Sequence, residues 1–160
     1  MEQDLIKVRR ATRNDVALIL AFIQKKSAFD RSVGAFSGTI QTSEEKIAKT
    51  LFGAVPFAYV LFAEITNLTV GFALYYFRYS SFAGQPILWL DDLYVDEEMR
   101  SKGVGLELMN YLTQVYRDNN CSHLAWTADA RNIRGLDFYY RLGAKAIRKQ
   151  DNRCFLIWKP

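Results

Sequence analysis

A glycine-rich segment at residues 100–105, Arg-Ser-Lys-Gly-Val-Gly, constrains the fold of this chain more than any other feature. It follows an apolar segment, residues 87–95, that is interrupted only by Asp91 and Asp92. Apolar residues then recur at helical spacing: Leu106, Leu108, Met109, Leu112 and Val115. A strand that leads through a glycine-rich turn into a helix directs backbone N–H groups, and about half a positive charge of the helix dipole, at one point. The segment therefore predicts a phosphate-binding turn.

Two common classes of nucleotide-binding turn fit this segment poorly. The lysine and Ser/Thr that end a Walker loop do not follow Gly105, and the glycines do not have the G-x-G-x-x-G spacing of a dinucleotide site. Two glycines in six residues are also compatible with a turn that binds nothing. The rest of the chain has to decide between these interpretations.

Composition limits the class of protein. With 160 residues, half of them apolar, the chain is expected to form a single domain over residues 1–160. The net charge of +4 is modest and the basic residues form no continuous stripe, so we expect no nucleic-acid partner. No apolar run is as long as a membrane span, so no membrane partner is expected either.

The two cysteines and the first residues predict a location. Cys121 and Cys154 lie far apart in sequence without a partner motif, which is typical of buried, reduced thiols in a cytosolic protein. Met1-Glu-Gln-Asp does not begin a signal peptide. A cytoplasmic protein is therefore predicted.

The order of elements predicts a mixed α/β fold, a central sheet flanked by helices. Hydrophobic periodicity, helix caps and turn residues give a strand at 6–11, helices from Thr12 and at 43–52, strands at 57–64, 69–78 and 86–95, a helix at 104–119, a strand at 123–127, a helix at 132–142, and strands at 144–149 and 153–158. The predicted order is βααβββαβαββ. The predicted order includes one strand–helix crossover, after the glycine-rich turn.

Four segments carry a resemblance to a known family. They are residues 70–77, 88–95, 100–105 and 137–144, with a weaker match at 8–12. Together they resemble the spermidine/spermine acetyltransferases and thialysine N-epsilon-acetyltransferases of the GNAT superfamily, whose pyrophosphate loop has the pattern R-x-x-G-x-G. The resemblance implies the GNAT fold and transfer of an acetyl group from acetyl-CoA to a primary amine of a small cationic acceptor, such as a polyamine, a diamine or a lysine-like amine.

Two other functions stay open from the sequence. One is acetylation of a protein or peptide amine by the same chemistry, and the other is an acyl-CoA-binding sensor without turnover. The resemblance also implies a homodimer, and the apolar closing segment 155–158 is expected to present an exposed edge to a second copy.

The resemblance implies which residues bind acetyl-CoA. They are Leu93, Tyr94 and Val95 through their backbone, the loop residues Arg100, Ser101, Lys102, Gly103, Val104, Gly105 and Leu106, and the helix residues Asn132 and Tyr139. Asn132 and Tyr139 are seven residues apart and share one helix face, whereas Tyr140 is about 100° away. Tyr139 is the candidate acid for the departing thiolate, because a phenol with a pKa near 10 is protonated at neutral pH.

Acidic and aromatic residues are the candidates on the acceptor side. Asp91 matches the family carboxylate that draws a proton from the amine through water. Because consecutive strand residues alternate, Asp91 and Asp92 are expected to face opposite sides of the sheet, and a purely structural ion pair is the alternative. The substrate-contacting candidates are Phe29 and Asp30 in a loop after the first helix, Ser80 and Phe82 where the polyamine enzymes have Asp and Trp, and the pair Asp91 and Asp92.

A metal is not expected. His123 is the only histidine, and without a second histidine or a Cys-His arrangement neither a zinc site nor a catalytic triad is supported.

Overall fold

The computed structural model describes residues 5–160, and the first four residues, on which the absence of a signal peptide was argued, lie outside the described part. The strands are β1 (Ile6–Arg10), β2 (Tyr59–Ile65), β3 (Leu68–Ser80), β4 (Gln85–Val95), β5 (Leu124–Asp129), β6 (Lys145–Gln150) and β7 (Arg153–Trp158). The helices are α1 (Val16–Ser32), α2 (Glu44–Leu51), α3 (Val104–Asp118) and α4 (Ile133–Leu142). The predicted order βααβββαβαββ is confirmed.

The described strands form one sheet in the order β1-β2-β3-β4-β5-β7-β6. All neighbours are antiparallel except β4 and β5, which are parallel. These two pair only at Leu88 with Leu124 and at Trp89 with Ala125, although β4 continues for six residues to Val95. Beyond Trp89 the two strands diverge. The sheet is therefore open on one side of the second half of β4.

Each face of the sheet is covered by a different pair of helices. On one face, Ile19 and Phe22 of α1 and Ile47 of α2 pack on Phe62 and Phe72. On the other face, α3 and α4 cover the larger core, in which Leu108, Met109, Leu112, Leu124 and Trp126 are almost fully buried. Since each face is closed by helices, the central strands are apolar on both sides, which is why β2 reads as a nearly continuous hydrophobic segment.

Helix α1 is longer than the sequence pattern suggests, and this corrects the placement of Phe29 and Asp30. Both lie in the last turn of α1 rather than in a loop after it. The segment contains no glycine or proline until Gly34, and the Lys26–Asp30 ion pair at i,i+4 spacing supports its final turn. The two residues are therefore held on a helix.

Strand β7 corrects a second expectation. The apolar segment at 155–158 is not an edge, because β7 lies between β5 and β6 and pairs with both. Its apolar character comes from this interior position, where Leu156 is buried. The edge of the sheet at this end is β6, whose six residues are all exposed.

The structure also describes the two cysteines and the apolar character of the helices. Cys121 and Cys154 are both free and buried, as predicted. Over residues 5–160, none of the helices is long and apolar enough to cross a bilayer.

Candidate active site

A cleft of about 640 Å³ opens where β4 and β5 diverge. It is bounded by the second half of β4, the loop before α3, and the N-terminal part of α4. Of the residues proposed from the sequence, those that line it are Phe29, Leu93, Tyr94, Val95, Arg100, Ser101, Gly103, Gly105, Leu106, Asn132 and Tyr139. The structure thus brings together residues from three distant parts of the chain.

The glycine-rich loop presents unpaired backbone donors to this cleft. Ser101 and Gly103 have positive φ angles of 60° and 89°, so the chain turns through the left-handed region just before α3. Gly103 is the N-cap of α3 and has no side chain to accept the first N–H groups of the helix. The N–H groups of residues 104–106 precede the first intrahelical bond, which Glu107 N–H donates to the Gly103 carbonyl at 3.0 Å. They form a site for an anion.

Three residues of this loop contribute no side chain to the cleft. A Cβ at Gly105 would lie 3.3 Å from the Phe138 ring, so the glycine allows α3 and α4 to approach. The Val104 side chain is 1% exposed, so only its backbone can serve a ligand. Lys102 does not line the cleft, and its Nζ lies 3.8 Å from the Met99 sulfur.

Arg100 connects the loop to β4 and to α1. Its Nε donates to the Val95 carbonyl at 2.9 Å, which fixes the end of β4. Its guanidinium lies over the rings of Phe29 and Tyr94, with its central carbon 5.0 and 5.5 Å from their centroids. Arg100 therefore positions the aromatic wall of the cleft in addition to supplying positive charge.

Sequence reasoning missed further arginines at this site. Arg131, Arg134 and Arg141 line the cleft from the region of α4. Arg134 donates to the Ser101 hydroxyl at 2.8 Å, which places its guanidinium beside the loop, whereas Arg131 is paired with Asp129 at 2.8 Å. The available signal was the seven-residue spacing of Arg134 and Arg141, which puts both on one face of α4.

The exposed edge of β4 forms one wall of the cleft. Because β5 pairs with β4 only at its start, β5 does not pair with the backbone of residues 93–95. The backbone groups of this stretch that point away from β3 face the cleft, and an extended chain containing amide groups could pair with them.

A β-bulge in β4 places both aspartates on the same face of the sheet. Leu74 of β3 pairs with Asp92, but the next residue, Tyr75, pairs with Leu90, so Asp91 has no partner. Before the bulge, Leu90 faces the α3 side, and after it Leu93 does so. The expectation that Asp91 and Asp92 face opposite sides is wrong, because the extra residue shifts the alternation by one position.

The two aspartates nevertheless have different surroundings. Asp91 is exposed and accepts a hydrogen bond from Trp89 Nε1 at 3.3 Å. The side chain of Asp92 is about three-quarters buried, and its Oδ1 lies 3.9 Å from Lys26 Nζ on α1. Burial raises the pKa of Asp92 from its ordinary value of 3.8 to about 6, against the attraction of Lys26 and with smaller contributions from Asp91 and Asp30. Burial thus brings the pKa of Asp92 to within about one unit of neutrality.

Tyr139 lies at the junction between the cleft and these carboxylates. Its ring packs 5.0 Å from that of Trp126, centroid to centroid. Burial, and then the negative charges of Asp92 and Asp30, raise the pKa of Tyr139 well above its ordinary value, so the phenol keeps its proton at neutral pH. Tyr140 is 46% exposed, which agrees with the predicted helical register.

Asn132 has a role at the start of α4 besides lining the cleft. Its Oδ1 accepts the Gly135 N–H at 3.0 Å and caps the helix. A Cβ at Gly135 would lie 2.5 Å from Asn132 Nδ2, so this cap requires glycine there. Trp126, whose ring packs against Tyr139, has a buried Nε1 with no hydrogen-bond partner within residues 5–160.

Ser80 and Phe82 are not brought to this site. Both lie at the tip of the β3–β4 hairpin, where Ser80 accepts a hydrogen bond from the Ala83 N–H at 3.2 Å and Phe82 is fully exposed. Asp92 is seven residues along β4 from Gln85, the partner of Ser80, which is about 23 Å at strand spacing. Within one chain these two residues therefore lie far along the sheet from Asp92.

The cleft therefore has two chemically different ends. One end offers backbone donors and arginines to a polyanion, and the other ends at the protonated phenol of Tyr139, beyond which Asp92 and Asp30 lie outside the lining of the cleft. Among residues 5–160 no group of three or more His, Cys, Asp or Glu side chains is placed to hold a metal ion. The arrangement is suited to binding an extended anionic molecule and moving protons at its far end.

Comparisons of sequence agree with one family. The acetyltransferase (GNAT) family pattern matches residues 28–144. The chain is 31% identical to the thialysine N-epsilon-acetyltransferase of Bos taurus over 159 residues, covering 94% of this chain and 91% of the relative. It is 28% identical to the human spermidine/spermine N(1)-acetyltransferase-like protein 1, covering 92% of this chain but 22% of that protein.

Comparisons of structure agree with the same fold. An integron cassette protein from the mobile metagenome of V. cholerae has a TM-score of 0.71 at 26% identity, covering 91% of this chain and 89% of that one. PaiA N-acetyltransferase from Thermoplasma acidophilum, solved in complex with coenzyme A, has a TM-score of 0.76 at 15% identity, covering 98% and 99%. At that identity the second likeness concerns the fold alone.

Proposed function

The chain belongs to the acetyltransferase (GNAT) family and is an N-acetyltransferase, and we propose that it acetylates a primary amine of a small cationic acceptor with acetyl-CoA as donor. The observation that carries the acceptor class is the acidic group beside the cleft, where Asp30 and Asp92 lie near Tyr139 and Asp91 precedes Asp92 on the bulge. A polyamine, a diamine or a lysine-like amine carries the complementary positive charge. The names of the similar proteins, thialysine and spermidine/spermine acetyltransferases, support the same class.

The residues of the other end fit the donor. When bound, acetyl-CoA supplies the acetyl group as a thioester, and GNAT enzymes use this donor. Backbone N–H groups of residues 104–106, with Arg100 and Arg134 beside them, match the charge of a diphosphate. The edge at residues 93–95, with which β5 does not pair, matches the amide-containing arm. This donor set supports the assignment of the cleft to acetyl-CoA.

Asp92 is proposed to accept the proton of the amine, directly or through one water. A lysine-like amine has a pKa near 10.4 and arrives protonated, so it needs a base. A carboxylate with a pKa of about 6 is a better base than one near 4 and is still mostly ionised at pH 7. Asp91, the residue that the family pattern favours, lies exposed on the bulge beside Trp89, and we assign it to attracting the cation.

Backbone and Tyr139 are proposed to handle the charges of the acyl group. N–H groups at residues 93–95 can stabilise the negative charge that develops on the carbonyl oxygen. Tyr139 then donates its proton to the leaving sulfur. Burial and the two nearby carboxylates raise its pKa, so the proton is present throughout the neutral range.

A panel of acceptors tests the proposed function. The protein is mixed with acetyl-CoA and, in turn, polyamines, diamines, lysine, thialysine and a lysine-containing peptide, and the release of CoA thiol is followed. We expect release with the small amines. Release with the peptide alone would favour the protein N-acetyltransferase alternative. Stabilisation by acetyl-CoA without any release would favour the sensor.

A homodimer is also proposed, now through a different element. β6 ends the sheet with one unpaired side, and Ile147 at its centre is 63% exposed. Sedimentation should give about twice the chain mass of 18.4 kDa, and a species of one chain mass at micromolar concentration would contradict it. A cytoplasmic location is supported by the two free thiols, and cell fractionation tests it.

A further inference from the structure

Lys26 lies between two carboxylates, those of Asp30 and Asp92, which lie near Tyr139 beside the cleft. It projects from α1, and its Nζ lies 2.7 and 2.6 Å from the two carboxylate oxygens of Asp30, one turn further along the helix. The same Nζ lies 3.9 Å from Oδ1 of Asp92 on β4. The side chain is 21% exposed, so this ammonium is largely withdrawn from solvent.

The ion pair between Lys26 and Asp30 involves the carboxylate to which an ammonium group of a substrate would otherwise bind. A cationic acceptor with a second ammonium needs a second carboxylate, and Asp30 is the one nearest to Asp92 on α1. Both oxygens of Asp30 are already bonded to Lys26. The carboxylates within 4 Å of the ammonium are those of Asp30 and Asp92, while Asp91 acts on Asp92, and the neutral Tyr139 of α4 lies near Asp92 and Asp30. With Lys26 the group carries a net charge of about −2 when all three aspartates are ionised, and without it about −3.

We propose that Lys26 is a specificity-determining residue, an internal ammonium that fills the second cation subsite, so that the enzyme favours acceptors with a single positive charge over diamines and polyamines. This inference rests on the proposed function and narrows its substrate class. The reacting amine is held at Asp92, and the rest of the acceptor gains no ion pair from Asp30. Lysine-like zwitterions, whose net charge is +1, fit this site better than spermidine-like polycations.

The role of Lys26 predicts a change in substrate preference. Lys26→Met keeps most of the apolar stem and removes the charge. Asp30 is then free to pair with the distal ammonium of a diamine. A partly buried ion pair of this kind is expected to change kcat/KM for a dication about tenfold relative to a monocation.

The test compares two acceptors of equal chain length, n-pentylamine and 1,5-diaminopentane. Release of CoA thiol gives kcat/KM for each with the wild type, Lys26→Met, Lys26→Arg and the neighbouring control Lys25→Met. Lys25 pairs with Asp96 instead and is expected to have no part in the preference. We expect the diamine-to-monoamine ratio to rise about tenfold in Lys26→Met alone. Circular dichroism and Tm verify folding, and Lys26→Gln replaces Lys26→Met if that variant does not fold.

A second readout separates this role from simple support of the helix. Lys26 lowers the pKa of Asp92, so its removal should move the acid limb of the kcat/KM profile for n-pentylamine to higher pH. Lys26→Arg should restore both the ratio and the profile. An unchanged ratio in folded Lys26→Met or Lys26→Gln, with normal acetyl transfer, would overturn the inference and leave the proposed function intact. A wild type that acetylates no amine would overturn the proposed function and this inference with it.

Discussion

Replacing Asp92 with asparagine is expected to make the protein more stable while it destroys activity. The substitution keeps the shape of the side chain and removes a charge that is mostly withdrawn from water and only weakly paired, since Lys26 Nζ is 3.9 Å away. Lys26 keeps its closer partner, Asp30. The cost of holding this charge in the fold is therefore relieved without breaking the neighbouring ion pair.

The size of the effect follows from the pKa of Asp92. Its rise from 3.8 to about 6 is roughly two units, and each unit corresponds to 1.36 kcal/mol, so the charge costs at most about 3 kcal/mol of folding free energy at neutral pH. The amide still loses some hydration on burial. We expect a net gain of about 1.5 kcal/mol, which for a chain of 160 residues raises Tm by about 3 to 6 °C.

The raised pKa of Asp92 also predicts how the stability of the folded protein changes with pH. The folded protein binds the proton of Asp92 more tightly than the unfolded chain does, so wild-type stability falls as pH rises from about 4 to 6. The asparagine variant has no such group. The difference between the two should shift in favour of the asparagine variant, by at most about 3 kcal/mol, as pH rises through that window, and should become constant above about pH 7.

Thermal and urea unfolding of the wild type, Asp92→Asn and Asp91→Asn from pH 4 to 8 check the prediction. Asp91 is exposed on the bulge, so its variant should stay within about 0.5 kcal/mol of the wild type. An Asp92→Asn protein that is less stable than the wild type at pH 8 would refute the reasoning, because it would show that the charge contributes more through its partners than its burial costs.

Three further predictions concern the cleft. Gly103→Val should abolish acetyl-CoA binding in a calorimetric titration, because a β-branched residue is strained at a φ of 89°, and normal affinity would remove the phosphate-loop assignment. Tyr139→Phe should lower kcat about 100-fold or more in steady-state assays with little change in KM for acetyl-CoA, while Tyr140→Phe behaves like the wild type; the reverse result would mean that the helical register is wrong. Arg134→Ala should raise the KM for acetyl-CoA several-fold while kcat holds, and an unchanged KM would exclude this arginine from the diphosphate site.

Much of the fold was predictable because local signals agree with the tertiary structure. The order of all eleven helices and strands follows from hydrophobic periodicity and from the turn residues between them. The loop before α3 was recognisable from its glycines, because the backbone at Gly103 has a φ of 89°, which favours glycine. Asn132 and Tyr139 were predicted to share a face from helix geometry alone, and both line the cleft.

The errors arose where a long-range contact decides the local structure. The bulge at Asp91 depends on the register of β3 against β4, which the sequence of β4 does not reveal. The position of β7 inside the sheet depends on its pairing with β5 across an intervening helix. The contact of Lys26 with Asp92 joins α1 to β4 and carries no motif. Charge placement across elements is thus the part of the site that needed a structure.

The dependence of kcat/KM on pH, measured for the wild type, Asp91→Asn and Asp92→Asn with one amine acceptor, tests the central claim most directly. Asp92 must be ionised to accept the proton, so the wild type should lose activity as pH falls through about 6, and Asp91→Asn should keep a similar profile with reduced affinity for the cation. Asp92→Asn should be about 100-fold or more less active above pH 7, and it should lack the acid limb near pH 6. An active Asp92→Asn enzyme with an unchanged acid limb, beside an inactive Asp91→Asn, would contradict the assignment and move the base to the bulge residue.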